Sequence, residues 1–256
     1  MPKNTLKSFP MSKPKVLICL LLSLFLVACA KVPDPLKIWQ AREVKIKEES
    51  PLYELVQRAE RYFQRGQYDL AYQYFEEIKN KYPGTPEAVF AELRLADTKF
   101  WAGEYLEAIT LYEEFEKFYP NNEAIPYVIF QIGTCYYKLR QSVDRDPSFA
   151  KKAIETYQRL LQNFPQSPYT YEAEKRIKEL RELLASHELY VATFYYKIKY
   201  YRGAYKRLLY LLENYGDTHA AEQARALLDR YYRQALKETE ELNRGAKEDF
   251  FGGKVP

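Results

Sequence analysis

Few side chains in this chain have the type and spacing to do chemistry. There are three cysteines, Cys19, Cys29 and Cys135. Cys135 sits in the apolar pattern Ile129-Phe130-Ile132-Cys135-Tyr136 and reads as a small core residue. No His stands in a recognisable motif that would activate its thiol. The histidines, His187 and His219, fall within a helical pattern and just after a helix cap, where surface or helix-end roles are the ordinary ones. The acidic pairs Glu76-Glu77, Glu113-Glu114 and Glu240-Glu241 lie on polar helix faces, without the His or further carboxylates that a metal site needs. There is no Gly-rich phosphate loop, HExxH, CxxC or G-x-S-x-G. The chain is therefore not expected to be an enzyme or to bind a metal or cofactor. What is abundant is ring area. Aromatic content is 16%, and 25 residues are Tyr, which demands a large core or a large binding surface.

Cys29 ends a targeting segment that also contains Cys19 and would carry it away on cleavage. Lysines precede the apolar run from Val16 to Phe25, which continues as Leu26-Val27-Ala28-Cys29. The run is shorter than the roughly 20 residues of a membrane span and fits a signal h-region. Met11 is an alternative start, because Lys13 and Lys15 alone supply a charged n-region. The ending resembles the bacterial lipobox, L-[AV]-[AG]-C. That resemblance implies cleavage before Cys29, diacylglycerol on its sulfur and an acylated new amino terminus. An ordinary signal peptide gives no reason for the small residue, the Cys and the end of the run to coincide. With about 0.8 kcal/mol per buried methylene, two or more chains hold a protein on a membrane essentially permanently. Ala30 rather than Asp after the Cys favours the outer membrane over the inner. Residues 1–28 are thus expected to be a signal peptide and 29–49 a lipidated tether, with a short helix around Trp39. Cys135 then remains alone, so no internal disulfide can form.

The formal charge of +4 invites a nucleic-acid reading, but its location argues against one and leaves only a local basic patch as the alternative. Residues 1–28 carry Lys3, Lys7, Lys13 and Lys15 and no acid. Without them the basic residues equal the 35 acidic ones. The electrostatic footprint of a nucleic-acid binder is missing.

The rest of the chain repeats one unit. In Ser50–Pro83, two apolar stripes at helical spacing flank a break at Gly66-Gln67: Leu52, Leu55, Ala59, Tyr62 and Phe63, then Leu70, Ala71, Tyr74, Phe75 and Ile78. Ser50-Pro51 supplies a cap and a Pro at the first helical position. The closing Tyr82-Pro83-Gly84-Thr85 recurs as Tyr119-Pro120-Asn121-Asn122, Phe164-Pro165-Gln166-Ser167 and Tyr215-Gly216-Asp217-Thr218. Each junction pairs a helix breaker with a residue that can cap the next helix. Gly66-Gln67-Tyr68-Asp69-Leu70-Ala71 matches Gly103-Glu104-Tyr105-Leu106-Glu107-Ala108. Ala153, Tyr157, Leu160 and Pro165, then Ala204, Leu208, Leu211 and Gly216, keep the same relation.

These residues resemble the tetratricopeptide repeat, in which small residues at the eighth and twentieth positions let two helices approach. Ala59 and Ala71, Ala96 and Ala108, and Gly133 and Ala153 take those places. The resemblance implies an all-α superhelix of about five helical hairpins over residues 50–242. Its N-terminal half is 50–140 and its C-terminal half 150–242. An irregular loop is expected near Gln141–Phe149, one long helix from Pro168 to about Lys199, a closing helix from Thr218 to about Leu242, and a disordered tail over 243–256. In such families the second, fifth, ninth, twelfth and thirteenth positions of each first helix line a concave groove. Carried over, the lining is Tyr53, Val56 and Phe63, then Phe90, Leu93, Phe100 and Trp101, then Tyr127, Phe130 and Tyr137. A groove so lined accepts an apolar or aromatic extended peptide. Packing against neighbouring helices is the competing role for the same rings.

A lipobox followed by these repeats, the third with a loop and the fourth with a long helix, resembles the BamD family, lipoproteins of the outer-membrane β-barrel assembly machinery. The likeness runs from Leu26 to about Leu242. It implies a non-catalytic scaffold, lipid-anchored on the periplasmic face of the outer membrane. Its partners would be the barrel-forming subunit, other lipoprotein subunits and unfolded outer-membrane proteins. Arg207 takes the place of a family Arg that docks by salt bridge on the last periplasmic domain of the barrel subunit. The familiar Ala-Ala-x-Asn-Arg context is here Gly203-Ala204-Tyr205-Lys206-Arg207, and a solvated helix Arg is the plain alternative. Another lipidated repeat adaptor, such as a pilus or secretin pilotin, is the second reading.

Overall fold

The computed structural model describes residues 50–140 and 147–252, all within one compact unit, Glu43–Pro256. The signal peptide, Cys29, the tether, most of the expected loop after Gln141 and the last four residues lie outside the described residues. Helices α1 (Pro51–Gln64), α2 (Tyr68–Lys81), α3 (Pro86–Ala102), α4 (Tyr105–Phe118), α5 (Ile125–Leu139), α6 (Ser148–Asn163), α7 (Thr170–Lys197), α8 (Tyr201–Tyr215) and α9 (His219–Gly252) follow in order. No strand occurs among the described residues. Each helix packs on its neighbours in sequence, and α9 also reaches α7. The fold is an all-α tetratricopeptide array of four hairpins, with α9 opening a fifth.

The junctions work as their residue types demand. Ser50 Oγ accepts from the Tyr53 amide at 3.1 Å, with Pro51 at the first helical position. Thr85 and Thr218 accept from the amides of Ala88 and Ala221, each at 3.2 Å. Asn122 and Ser167 accept instead from the amides two residues on, Ala124 and Tyr169. Those side chains close local turns, and α5 and α7 begin a few residues later.

The small residues sit where helices touch. Ala59, Ala71, Ala96, Ala108 and Ala153 are fully buried. Gly133 has a stricter reason, since a Cβ there would lie 2.6 Å from the Tyr157 ring. The core is graded accordingly. One cluster gathers Ala59, Ala71, Phe75, Ile78, Ala91 and Leu95 around the first hairpin. A second and larger one runs from Leu93 to Tyr231. Helix α3 contributes to both.

Two features govern the far end. Helix α7 has 28 residues because no breaker interrupts it after Pro168. It is about twice the length of α1, so α8 pairs with its second half. The α8–α9 turn falls beside its middle, where Glu182 accepts from the amides of His219 and Ala220. Helix α9 runs to Gly252, which corrects the expected disordered tail over 243–252. A lone Gly245 costs a helix only about 1 kcal/mol and does not end it.

Replacing Gly133 with Ala should lower unfolding stability by about 1–3 kcal/mol, because the Tyr157 ring has to move. Urea unfolding followed by circular dichroism checks this. An unchanged midpoint would mean that α5 and α6 approach less closely than described.

Candidate functional site

The expected groove lies on the first helix of each hairpin, and its rings surround one buried and one half-buried arginine. Arg94 of α3 is 5% exposed. Its Nε and Nη2 donate to the two carboxylate oxygens of Glu60 on α1, at 2.8 and 3.2 Å. Its Nη1 donates to Asp97 Oδ2 at 2.8 Å. The guanidinium stands 3.7 Å from the centre of the Phe63 ring, with Phe75 and Phe90 just under 6 Å away. Asp97 is wholly buried, and its Oδ1 accepts from the phenols of Tyr112 at 2.6 Å and Tyr127 at 2.8 Å. Gln131 Nε2 in turn donates to the Tyr127 oxygen. Four helices of three hairpins thus meet on one ion-pair network.

A second cage repeats the arrangement farther along. Arg176 of α7 donates to Glu172, Thr134 Oγ1 and the Tyr157 phenol, at 2.9, 2.7 and 2.8 Å. Phe130 and Tyr137 stand about 5 Å from its guanidinium.

These cages decide where the expected groove residues go. Leu93, Tyr127 and Phe130 are 1%, 5% and 2% exposed, so they belong to the core and not to a surface groove. The reason is the polar residue at each ninth position, Glu60, Asp97 and Thr134, which draws an arginine inward and the neighbouring rings with it. Tyr53, Val56, Phe63, Phe90, Phe100 and Tyr137 are half-buried. Phe63 lies flat on Arg94, and Tyr137 donates to Glu179 at 2.6 Å. Trp101 is the open one, at 57% exposed, edge-on to Phe100. The sequence signal for the missed residues was Arg94 itself, a charge between Leu93 and Leu95 in an apolar helix. A cavity of about 410 Å³ opens elsewhere, between α2 and the end of α3, lined by Tyr68, Tyr72, Lys99 and Glu104. None of the ten expected groove residues lines it.

Burial works against the charge of Arg94, but Asp97 and Glu60 outweigh it and hold its pKa above the usual value. Burial first, and then the Asp97 charge, pushes the phenols of Tyr112 and Tyr127 well above their ordinary 10. The buried Cys135 thiol is likewise pushed up to about 12, which leaves it unreactive. Arg207 of α8 donates to Glu188 Oε2 on α7 at 2.9 Å, and its side chain stays 41% exposed. No group of side chains able to hold a metal occurs among the described residues, and none of their helices is long and apolar enough to cross a membrane.

The family model described as "YfiO: Outer membrane lipoprotein" matches residues 47–247, nearly the whole array. The chain belongs to this family, the BamD family. Curated relatives are called "Outer membrane protein assembly factor BamD". The one from Pasteurella multocida (strain Pm70) is 28% identical over 72% of this chain and 75% of its own. That from Neisseria gonorrhoeae is 25% identical over 87% and 85%. The Vibrio cholerae relative is 25% identical over 75% and 86%. A crystal structure of a tetratricopeptide repeat protein from Parabacteroides merdae aligns over 80% of each chain, with a TM-score of 0.38 and 15% identity, too distant to bear on the fold of a BamD-family chain.

Two outcomes follow from the first cage. Arg94→Met leaves Glu60 and Asp97 without their cation and should cost about 3–5 kcal/mol in urea unfolding. Stability should also fall at alkaline pH. Tyr112 and Tyr127 have raised folded-state pKa values, so their contribution is whole below pH 10 and is lost as pH climbs above it. Ultraviolet titration of the parent minus that of Tyr112→Phe/Tyr127→Phe should show both phenols ionising together with unfolding, and a difference signal from the folded protein near pH 10 would contradict the buried network.

Proposed function

We propose that this chain is an outer membrane protein assembly factor, acting as a non-catalytic scaffold of the β-barrel assembly machinery. The match of nearly its whole repeat array to the family, with relatives named as assembly factors, carries this reading. Acylation of Cys29 anchors it to the periplasmic face of the outer membrane. The C-terminal half holds the last periplasmic domain of the barrel-forming subunit, with Arg207 as the docking cation. Arg207 supports this role only in part, because a partner carboxylate has to share it with Glu188. Other lipoprotein subunits complete the complex.

The N-terminal half captures unfolded outer-membrane proteins through aromatic contacts. Tyr53, Val56, Phe63, Phe90, Phe100, Trp101 and Tyr137 are the residues left to do so, and Trp101 is the most accessible among them. An open ring at a hairpin end stacks on an extended apolar segment without strict sequence demands.

A photo-crosslinker at position 101 should capture nascent barrel proteins in cells. Cross-links to lipid or solvent alone would end the capture role. Arg207→Glu should cut co-purification of the barrel subunit at least about tenfold, as for a broken charge pair at an interface. Full recovery would leave Arg207 a structural tie between α7 and α8.

A further inference from the structure

The α7–α8 turn departs from the turns of the first two hairpins at one residue. In those, Gly66 and Gly103 take the left-handed conformation at the end of the first helix, with φ of 71° and 84°. The α7–α8 turn has the same hydrogen bonds, from the Lys199 amide to Tyr196 O and from the Tyr200 amide to Tyr195 O. Its left-handed residue is Lys199, at φ 63°, the only non-Gly residue with positive φ among the described residues. A side chain is strained there and Gly is not. Strain retained at a surface turn, where Gly would relieve it, points to a use for the side chain.

The surroundings bear on that use. Phe194, Ile198 and Tyr200 are each about half exposed at the same tip. The tip is rigid. Tyr200 packs on the Tyr195 ring and lies directly over Gly203, where a Cβ would be 2.1 Å from it. No acid occurs between Glu188 and Glu213, while Lys197, Lys199, Arg202, Lys206 and Arg207 all fall there. Of the facing carboxylates, Glu188 is buried against Arg207, and Glu238 of α9 accepts from the Arg202 amide and offsets one of these cations. Arg230 of α9, over the Tyr196 ring, adds another cation. The tip thus presents apolar bodies beside an excess of positive charge, six cations against these two carboxylates.

We propose that this tip is a docking knob for an acidic protein surface, and that Lys199 and the rings beside it extend the Arg207 contact to the barrel-forming subunit. The inference rests on the reading of the C-terminal half as the partner-holding end. An acidic surface fits the charge. A flat bilayer does not fit the shape, because α9 runs on from Glu238 to Gly252, about 20 Å beyond the level of Arg202. A membrane would meet that helix before the tip.

The test uses the full mature chain and the purified last periplasmic domain of the barrel subunit. Lys199→Gly relaxes the turn and removes the charge together. It should raise the melting temperature by about 2–4 °C yet weaken binding at least about tenfold. Lys199→Arg should restore binding, and Phe194→Ala should weaken it without unfolding the chain. A variant that is more stable but binds worse separates docking from folding. If Lys199→Gly and Phe194→Ala bind like the parent while Arg207→Glu does not, the knob is overturned and the Arg207 reading stands. If the parent chain does not bind the domain, both fall. If Lys199→Gly loses only affinity for phosphatidylglycerol vesicles, the tip is a lipid contact and the proposal is wrong.

Discussion

The array depends first on a charge that cannot be left alone. Arg94 is almost wholly out of water, and a buried guanidinium without partners costs several kcal/mol. Its bonds to Glu60 and Asp97 therefore constrain α1 against α3, and the phenols on Asp97 constrain α4 and α5 in turn. Apolar contact alone would hold these helices less specifically, since one Leu or Ala slides past another at little cost. The network also sits where it is needed. The two hydrophobic clusters meet along α3, with Ala91 and Leu95 turned to one and Leu93 and Ala96 to the other. The ion pair joins the small first cluster to the large second one.

The hairpins themselves were legible in the sequence because their signals are local. A Pro cannot continue a helix wherever it stands, and a Thr three residues after an aromatic can cap the next one. The length of α7 followed from the lack of a breaker. The end of α9 did not, because a polar, Gly-containing segment can be helical or not with little difference in energy.

The site was harder to read, for a physical reason. Tyr127 and Phe130 stand at positions that face a groove in related repeats, and a ring at such a position can turn either way. What turned these inward was a partner far along the chain: Asp97 for Tyr127, and Arg176 for Phe130. Pairings across 30 or more residues leave no periodic trace. The charge of Arg94 among leucines was the visible clue, and its meaning appeared only with Glu60 opposite it.

Helix α7 carries a mechanical consequence. Its first half is fixed to the third hairpin through Arg176, and its second half to α8 through Arg207 and Glu188. Twenty-eight residues make a rod about 42 Å long, tied along both halves. A load applied at the Lys199 end would not be absorbed by a bending loop. It would pass down the rod as torque and arrive at Thr134 and Tyr157, so a body held at one end of the array can be felt in the middle of it.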